Sequence, residues 1–261
     1  MKIIVCVKQV PDTTEVKIDS ETNTLIRKGV PSIVNPFDRN ALEAAVQLKE
    51  EHGGTVIVLS MGPPQAKDAL KECLSVGADE AYLVSDKAFS GADTLATSYT
   101  LAAAIKKIGN YDLIICGKQA IDGDTAQVGP EIAEHLDIAQ VTYVTKLNVE
   151  DNKIITRREH DEGYEVIESK MPAVITVVKA INEPRYATIT SKIASNRAEI
   201  PTITSIDLDV DDTMIGLDGS PTKVDKIFSP PKKTSGLLIE NEDGKDSAKE
   251  LVEELIKIKA I

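Results

Sequence analysis

The chain of 261 residues has no tryptophan, and phenylalanine and tyrosine together bring its aromatic content to only 3%. With 42% hydrophobic residues a sizeable core is still affordable, but it must be aliphatic. Cysteine is equally scarce. Cys6, Cys73 and Cys116 lie far apart with no C-x-x-C pair, which excludes a thiolate zinc site or an iron–sulfur cluster held by this chain alone. Basic charge is in deficit: the formal net charge of -12 excludes a nucleic-acid backbone or an anionic membrane as the expected partner. No apolar run approaches membrane-spanning length, and the opening Met1–Val7 run is too short for a signal segment before Lys8 interrupts it. A reduced, cytoplasmic setting is the expectation. His52, His135 and His160 are scattered among charged or helix-surface residues and offer no metal-ligand spacing. Neither G-x-G-x-x-G nor G-x-x-x-x-G-K-[ST] occurs, so the standard dinucleotide and P-loop fingerprints are missing.

What is present is alternation. Ile3–Val7, Thr55–Ser60, Ala81–Val84 and Leu113–Cys116 read as continuous apolar strands. Ala41–Lys49, Ala66–Val76, Thr94–Ile108 and Ile132–Leu136 read as helices between them. That pattern predicts a doubly wound α/β fold with a mostly parallel sheet covered on both faces. After Gln140, Val141–Val149, Lys153–Arg158 and Tyr164–Ser169 are short runs punctuated by turn residues, which predicts an antiparallel hairpin or meander at one sheet edge. Ala173–Val178 reads as a further buried strand, while 181–205 shows poor periodicity and reads as a long irregular segment. Ser229–Lys233 reads as an extended linker, and Ser247–Ile258 as an amphipathic helix with Leu251, Val252, Leu255 and Ile258 on one stripe. The expected division is an α/β domain over 1–228 and a linker plus helix over 229–261 that docks on a partner subunit.

In an open parallel sheet, ligands bind at the carboxyl ends of the strands. Parallel topology therefore brings together Cys6–Asp12, Met61–Pro64 and the Gly117–Pro130 loop, with Asn35-Pro36-Phe37-Asp38 able to join them. Asn35-Pro36-x-Asp38 also has the form of a helix start. Glycines at Gly117, Gly123 and Gly129 let backbone N–H groups approach a phosphate, and the helix start beyond them adds its positive end. The plain alternative is an ordinary β–α connection. Asp122 and Asp124 weigh toward it, because they would repel a phosphate unless they face a ribose hydroxyl or solvent. Asp93 reads as an N-cap, which alone would explain it, while Thr94 and Thr97 share a helical face from which both hydroxyls could reach a ligand. Nothing resembles an acid–base catalyst or a nucleophile elbow. Any chemistry is expected to be carried by a bound cofactor.

Four separated motifs in order, Val5–Asp12, Asn35–Phe37, Gly117–Asp122 and Asn182-Glu183-Pro184-Arg185-Tyr186-Ala187-Thr188, resemble the β subunit of electron transfer flavoproteins nearly end to end. The resemblance implies an adenine-nucleotide-binding α/β fold, pairing with a larger α subunit that carries FAD, and a loop over about 177–205 that docks on an acyl-CoA dehydrogenase. Arg185, Tyr186 and Ile189 are then its contact residues, with Ile189 in the place of the family's apolar anchor, often Leu. Ordinary members hold structural AMP; electron-bifurcating members bind a second FAD and oxidise NADH, passing electrons also to ferredoxin or flavodoxin. Gly123-Asp124-Thr125-Ala126-Gln127-Val128 and the Gly91–Thr97 helix start are similar to the bifurcating branch. The ligand residues implied are Cys6, Lys8, Asn35, Phe37, Asp38, Met61, Asp93, Thr94 and Thr97, with every residue from Gly117 through Lys118, Gln119, Ala120, Ile121, Asp122, Gly123, Asp124, Thr125, Ala126 and Gln127 to Val128. FAD with NADH as donor is the expected cofactor set, AMP the alternative.

Overall fold

The computed structural model describes residues 1–12, 31–225 and 236–261. They fall into two compact units, Met1–Lys226 and Ile227–Ile261. The Ser229–Lys233 linker lies outside the described residues.

In chain order the first unit comprises β1 (Lys2–Cys6), β2 (Gln9–Pro11), β3 (Ser32–Val34), α1 (Pro36–His52), β4 (Thr55–Met61), α2 (Lys67–Ser75), β5 (Glu80–Val84) and α3 (Thr94–Ile108). It continues with β6 (Leu113–Gly117), α4 (Val128–Leu136), β7 (Ala139–Glu150), β8 (Lys153–His160), β9 (Gly163–Lys170), β10 (Ala173–Val177), α5 (Ile189–Arg197) and β11 (Thr202–Ile203). The main sheet has the order β11-β5-β4-β1-β6-β10-β7-β8-β9. Pairing is parallel from β11 to β7, and β8 and β9 add an antiparallel meander. The parallel sheet and its antiparallel edge match the sequence expectation.

Alternation along the buried strands separates two aliphatic cores. Ile3, Val5, Val56, Val58, Leu113 and Ile115 pack with Ala41, Ala45 and Leu70 of α1 and α2. Ile4, Cys6, Ile57, Leu59, Ile114 and Cys116 pack with Leu101, Ile105 and Ile132 of α3 and α4. From β1 the chain builds outward to β4 and β5, then crosses back to β6 on the other side of β1. That reversal makes the carboxyl ends of β1 and β6 the topological switch point, where such sheets take ligands.

One expectation needs correction. The 181–205 segment is not irregular throughout, because α5 occupies Ile189–Arg197. This helix buries only Ser195 and so has no apolar periodicity to read. It is held at its start by a reciprocal cap, Thr188 with Ser191.

The second unit contains α6 (Gly244–Lys257), capped by Asp243. Leu251 and Ala248 of α6 line a shallow depression of about 320 Å³ with Leu237 and Ile239. Leu251, Val252, Ile256 and Ile258 nevertheless stay largely exposed within it. No helix among the described residues is long and apolar enough to cross a membrane.

Candidate functional site

The β6–α4 loop begins at Gly117, and its geometry explains that glycine. A Cβ there would lie 2.3 Å from Asp38 Oδ1 and 2.7 Å from the Phe37 carbonyl carbon, so strand and helix start are in direct contact. Gly129, inside the first turn of α4, is equally constrained: a Cβ would meet Thr176 Cγ2 at 2.6 Å. Gly123 differs. Space around its Cα is open, and it sits at the exposed tip 121–125.

Asn35 organises the loop. It precedes α1 with Pro36 at the first helical position, as the sequence suggests, but its side chain does not cap the helix. Fully buried, it instead donates from Nδ2 to the Gln119 carbonyl at 2.8 Å and accepts the Ile121 amide on Oδ1 at 3.1 Å. Two loop groups on a distant element outcompete the local cap because the buried Asn35 amide itself has no water to turn to. Asp38 sits beneath, accepting the Lys8 amide at 2.7 Å. Burial pushes its carboxyl up from 3.8 to about 7, partly offset by donors at Asn35, Lys8 and Gly117.

The two loop acids are both engaged. Asp122 pairs with Lys8 Nζ at 2.7 Å, and Asp124 accepts Gln119 Nε2 at 2.6 Å. Lys8 thus answers the Asp122 carboxylate, while Asp124 is held by a neutral amide. The tip is closed by Gly123 and Asp124 amides donating to the Ala120 carbonyl at 3.3 and 2.8 Å. Asp124 and Ala126 then take φ of 51° and 54°, left-handed values that cost an alanine about 1 kcal/mol or more. Strain stored in such a loop points to a functional constraint. Gln127 gives α4 no side-chain cap, and among the described residues the first-turn amides of Val128 and Gly129 have no hydrogen-bond partner. That is the geometry of an anion seat.

The remaining expected residues take mixed roles. Cys6 and Cys116 face each other in register on β1 and β6 and are buried core thiols. Met61 ends β4 half-buried against the α3–α4 core. The Phe37 ring lies 5.3 Å from Lys179 Nζ, and Lys118 Nζ lies 5.0 Å above the Tyr143 ring. Asp93 is a double latch. One oxygen caps α3 through the Ala96 amide at 3.1 Å, while the other accepts Thr222 N and Oγ1 at 3.0 and 2.7 Å. Thr94 reaches across to α4, 3.1 Å from Gln127 Oε1 and 3.3 Å from Glu131 Oε1. Thr97 lies one turn further and half-exposed. Thr125 is exposed on the tip.

Residues absent from the sequence reading also shape the site. Tyr143 has a φ of 55° at the irregularity between β7 and β10, and its amide donates to Thr176 Oγ1 at 3.3 Å. Ser220 and Thr222 fold back onto Asp93. Bulge and fold-back alike are long-range contacts with no local motif to betray them.

On the 177–205 segment, Tyr186 and Ile189 are 93% and 82% exposed. Arg185 instead turns inward, Nε 2.8 Å from Glu43 and Nη1 2.6 Å from Glu50. A separate depression of about 540 Å³ lies beside α1, lined in part by Arg39, Asn40, Lys179 and Pro184. Of the segments that the sequence reading brings together, it takes in only Asp12 and Pro36. Among the described residues no cluster of His, Cys, Asp and Glu is suited to a metal ion.

Comparison with known proteins bears on this arrangement. Residues 22–208 match the electron transfer flavoprotein domain. The chain is 52% identical over its full length to the full length of the electron transfer flavoprotein subunit beta of Megasphaera elsdenii. It is 52% identical to the caffeyl-CoA reductase-Etf complex subunit CarD of Acetobacterium woodii, covering 98% of each chain. Identity to protein FixA of Azotobacter vinelandii is 46%, over 93% of this chain and 89% of that one. The chain belongs to the electron transfer flavoprotein family, as a β subunit.

Proposed function

We propose that this β subunit holds FAD on the Gly117–Val128 loop, accepts reducing equivalents from NADH, and divides them between two acceptors. One is ferredoxin or flavodoxin; the other is an acyl-CoA dehydrogenase, reached through the FAD of the α subunit with which β subunits of this family pair. The observation that carries the reading is the open tip. Gly123 has unfilled space around it, the Asp122 and Asp124 carboxylates are turned to Lys8 and Gln119, and the Val128 and Gly129 amides have no partner among the described residues. Those features fit a diphosphate with room for a group beyond it.

Bound FAD would supply hydride acceptance and one-electron release. The chain's own residues would position it. The Val128 and Gly129 amides and the positive end of α4 would take the phosphates, and Thr125 would offer a hydroxyl from the tip. Asn35 and Asp38, both buried, keep the loop in register. Thr94 and Thr97 lie on α3 at the side where the ligand would extend. The division of the chain into a nucleotide domain over 1–228 and a partner-docking tail over 229–261 belongs to the same proposal, with α6 seating its exposed apolar stripe on the α subunit.

The alternative is a structural AMP in the same seat, favoured by the fact that a single phosphate would already satisfy the two α4 amides. Counting cofactors in the purified αβ complex decides between them. Two FAD per complex, with flavin bleaching on NADH addition, is the expected result. One FAD and one AMP, with no response to NADH, overturns the proposal.

A further inference from the structure

The apolar face around Tyr186, Ile189 and Ile193 stands in solvent, yet the chain that presents it is tied down from below. Nearly all of the ties lead to one helix. Asn40 Nδ2 donates to the Asn182 carbonyl at 2.9 Å, and Asn182 Nδ2 returns a bond to the Asn40 carbonyl at 3.0 Å. One turn further along α1, Glu43 receives three donors from a single residue: the Arg185 amide at 3.1 Å, Nε at 2.8 Å and Nη2 at 3.0 Å. Two turns beyond that, Glu50 takes Nη1 at 2.6 Å and Nη2 at 2.9 Å. The two carboxylates are not equivalent. The Glu43 side chain is 6% exposed, whereas that of Glu50 is 55% exposed. The Glu43 carboxylate also holds backbone, not only guanidinium, so it fixes where the main chain leaves α1. Arg185 presents its planar fork to both acids at once. Below α5, Lys71 of α2 donates to the Asn196 carbonyl at 3.1 Å and holds the far end.

We propose that Glu43 is a positioning residue for docking: through Arg185 it sets the height and direction at which Tyr186 and Ile189 meet a partner's apolar groove. The proposal rests on the reading of 177–205 as the docking segment. Glu43 never touches the partner. It removes from the segment the freedom that binding would otherwise have to remove, so the cost of ordering is met before encounter. An exposed apolar tip of this kind would otherwise fold back on its own surface. The Arg185 amide bonded to Glu43, with Asn182 bonded to Asn40, holds the tip away from it.

The test uses the purified αβ complex with its nucleotide bound. Glu43→Gln keeps shape but loses the charge and one acceptor; Glu50→Gln is the exposed control. Chymotrypsin cleavage after Tyr186 and hydrogen exchange at the 183–198 amides report local opening. Glu43→Gln is expected to speed both by about tenfold or more, and Glu50→Gln by less than about fivefold, as for an exposed ion pair. In electron delivery to the dehydrogenase, Glu43→Gln should raise KM while kcat and bound nucleotide stay at the wild-type level. Equal effects of the two substitutions, or an unchanged KM, overturn the proposal. Should Glu43→Gln fail to fold, Arg185→Gln read by hydrogen exchange replaces it with the same expectation. Ile189→Asp separates the two levels of inference. If it leaves delivery unchanged, the docking reading fails, and the clamp is judged on cleavage and exchange alone.

Discussion

Replacing Asp38 by asparagine probes the electrostatics beneath the ligand loop. The carboxyl is buried under Gly117, with the Lys8 amide 2.7 Å away, and burial raises it from 3.8 to about 7. The folded protein therefore keeps a proton on Asp38 between about pH 4 and pH 7 that the unfolded chain has released. Where the folded state binds more protons, stability falls as pH rises. The charge-burial cost is absent below about pH 4 and fully present above about pH 7. A shift of about 3 units at about 1.4 kcal/mol each amounts to roughly 4 kcal/mol. Asparagine carries no such charge, although its amide nitrogen would face the Gly117 N–H, so its absolute stability at acid pH falls below wild type. The measurement is denaturant unfolding of both proteins, free of nucleotide, from pH 4 to pH 8. The difference in unfolding free energy should move in favour of asparagine by about 4 kcal/mol across the window. A difference that stays flat refutes the reasoning and would mean that Asp38 is ionised throughout.

Further outcomes follow from the same geometry. Gly117→Ala places a methyl group 2.3 Å from Asp38 Oδ1 and must push β6 from α1; nucleotide affinity should fall at least tenfold, and calorimetry that finds it unchanged would show that the contact can relax. Ile189→Asp should weaken electron delivery to the dehydrogenase several-fold without releasing nucleotide, as read by steady-state kinetics and cofactor content. Removing 244–261 should loosen the αβ complex, so that size-exclusion chromatography at micromolar concentration resolves the subunits. Coelution at all concentrations would assign α6 another role.

The sequence displayed the sheet clearly because its strands are continuous apolar runs, and the Gly117–Pro130 loop because small residues between a strand and a helix are visible locally. What it could not display was reach. Asn35 has every local mark of a cap, yet its amide is spent on Gln119 and Ile121, 84 and 86 residues away. The resemblance implies a surface contact for Arg185, but its partners Glu43 and Glu50 sit on a helix 142 and 135 residues earlier. Asp93 was legible as a cap, and its hold on Thr222 was not. Helix α5 escaped notice because a helix that buries one serine has no stripe. In each case periodicity records what is buried locally, whereas polar side chains choose partners by fold.

The outer strand β9 carries a consequence for how this protein behaves at high concentration. The other edge of the main sheet, β11, is two residues long and gives little for another chain to pair with. β9 runs for eight residues, with Tyr164 and Val166 in solvent and, among the described residues, no strand paired on its outer side. Glu165 and Glu168 alternate along it and are paired with Arg158 and Lys153. Charged side chains along an edge strand disfavour edge-to-edge pairing, and a chain stripped of those two carboxylates would present a more apolar edge to a second copy.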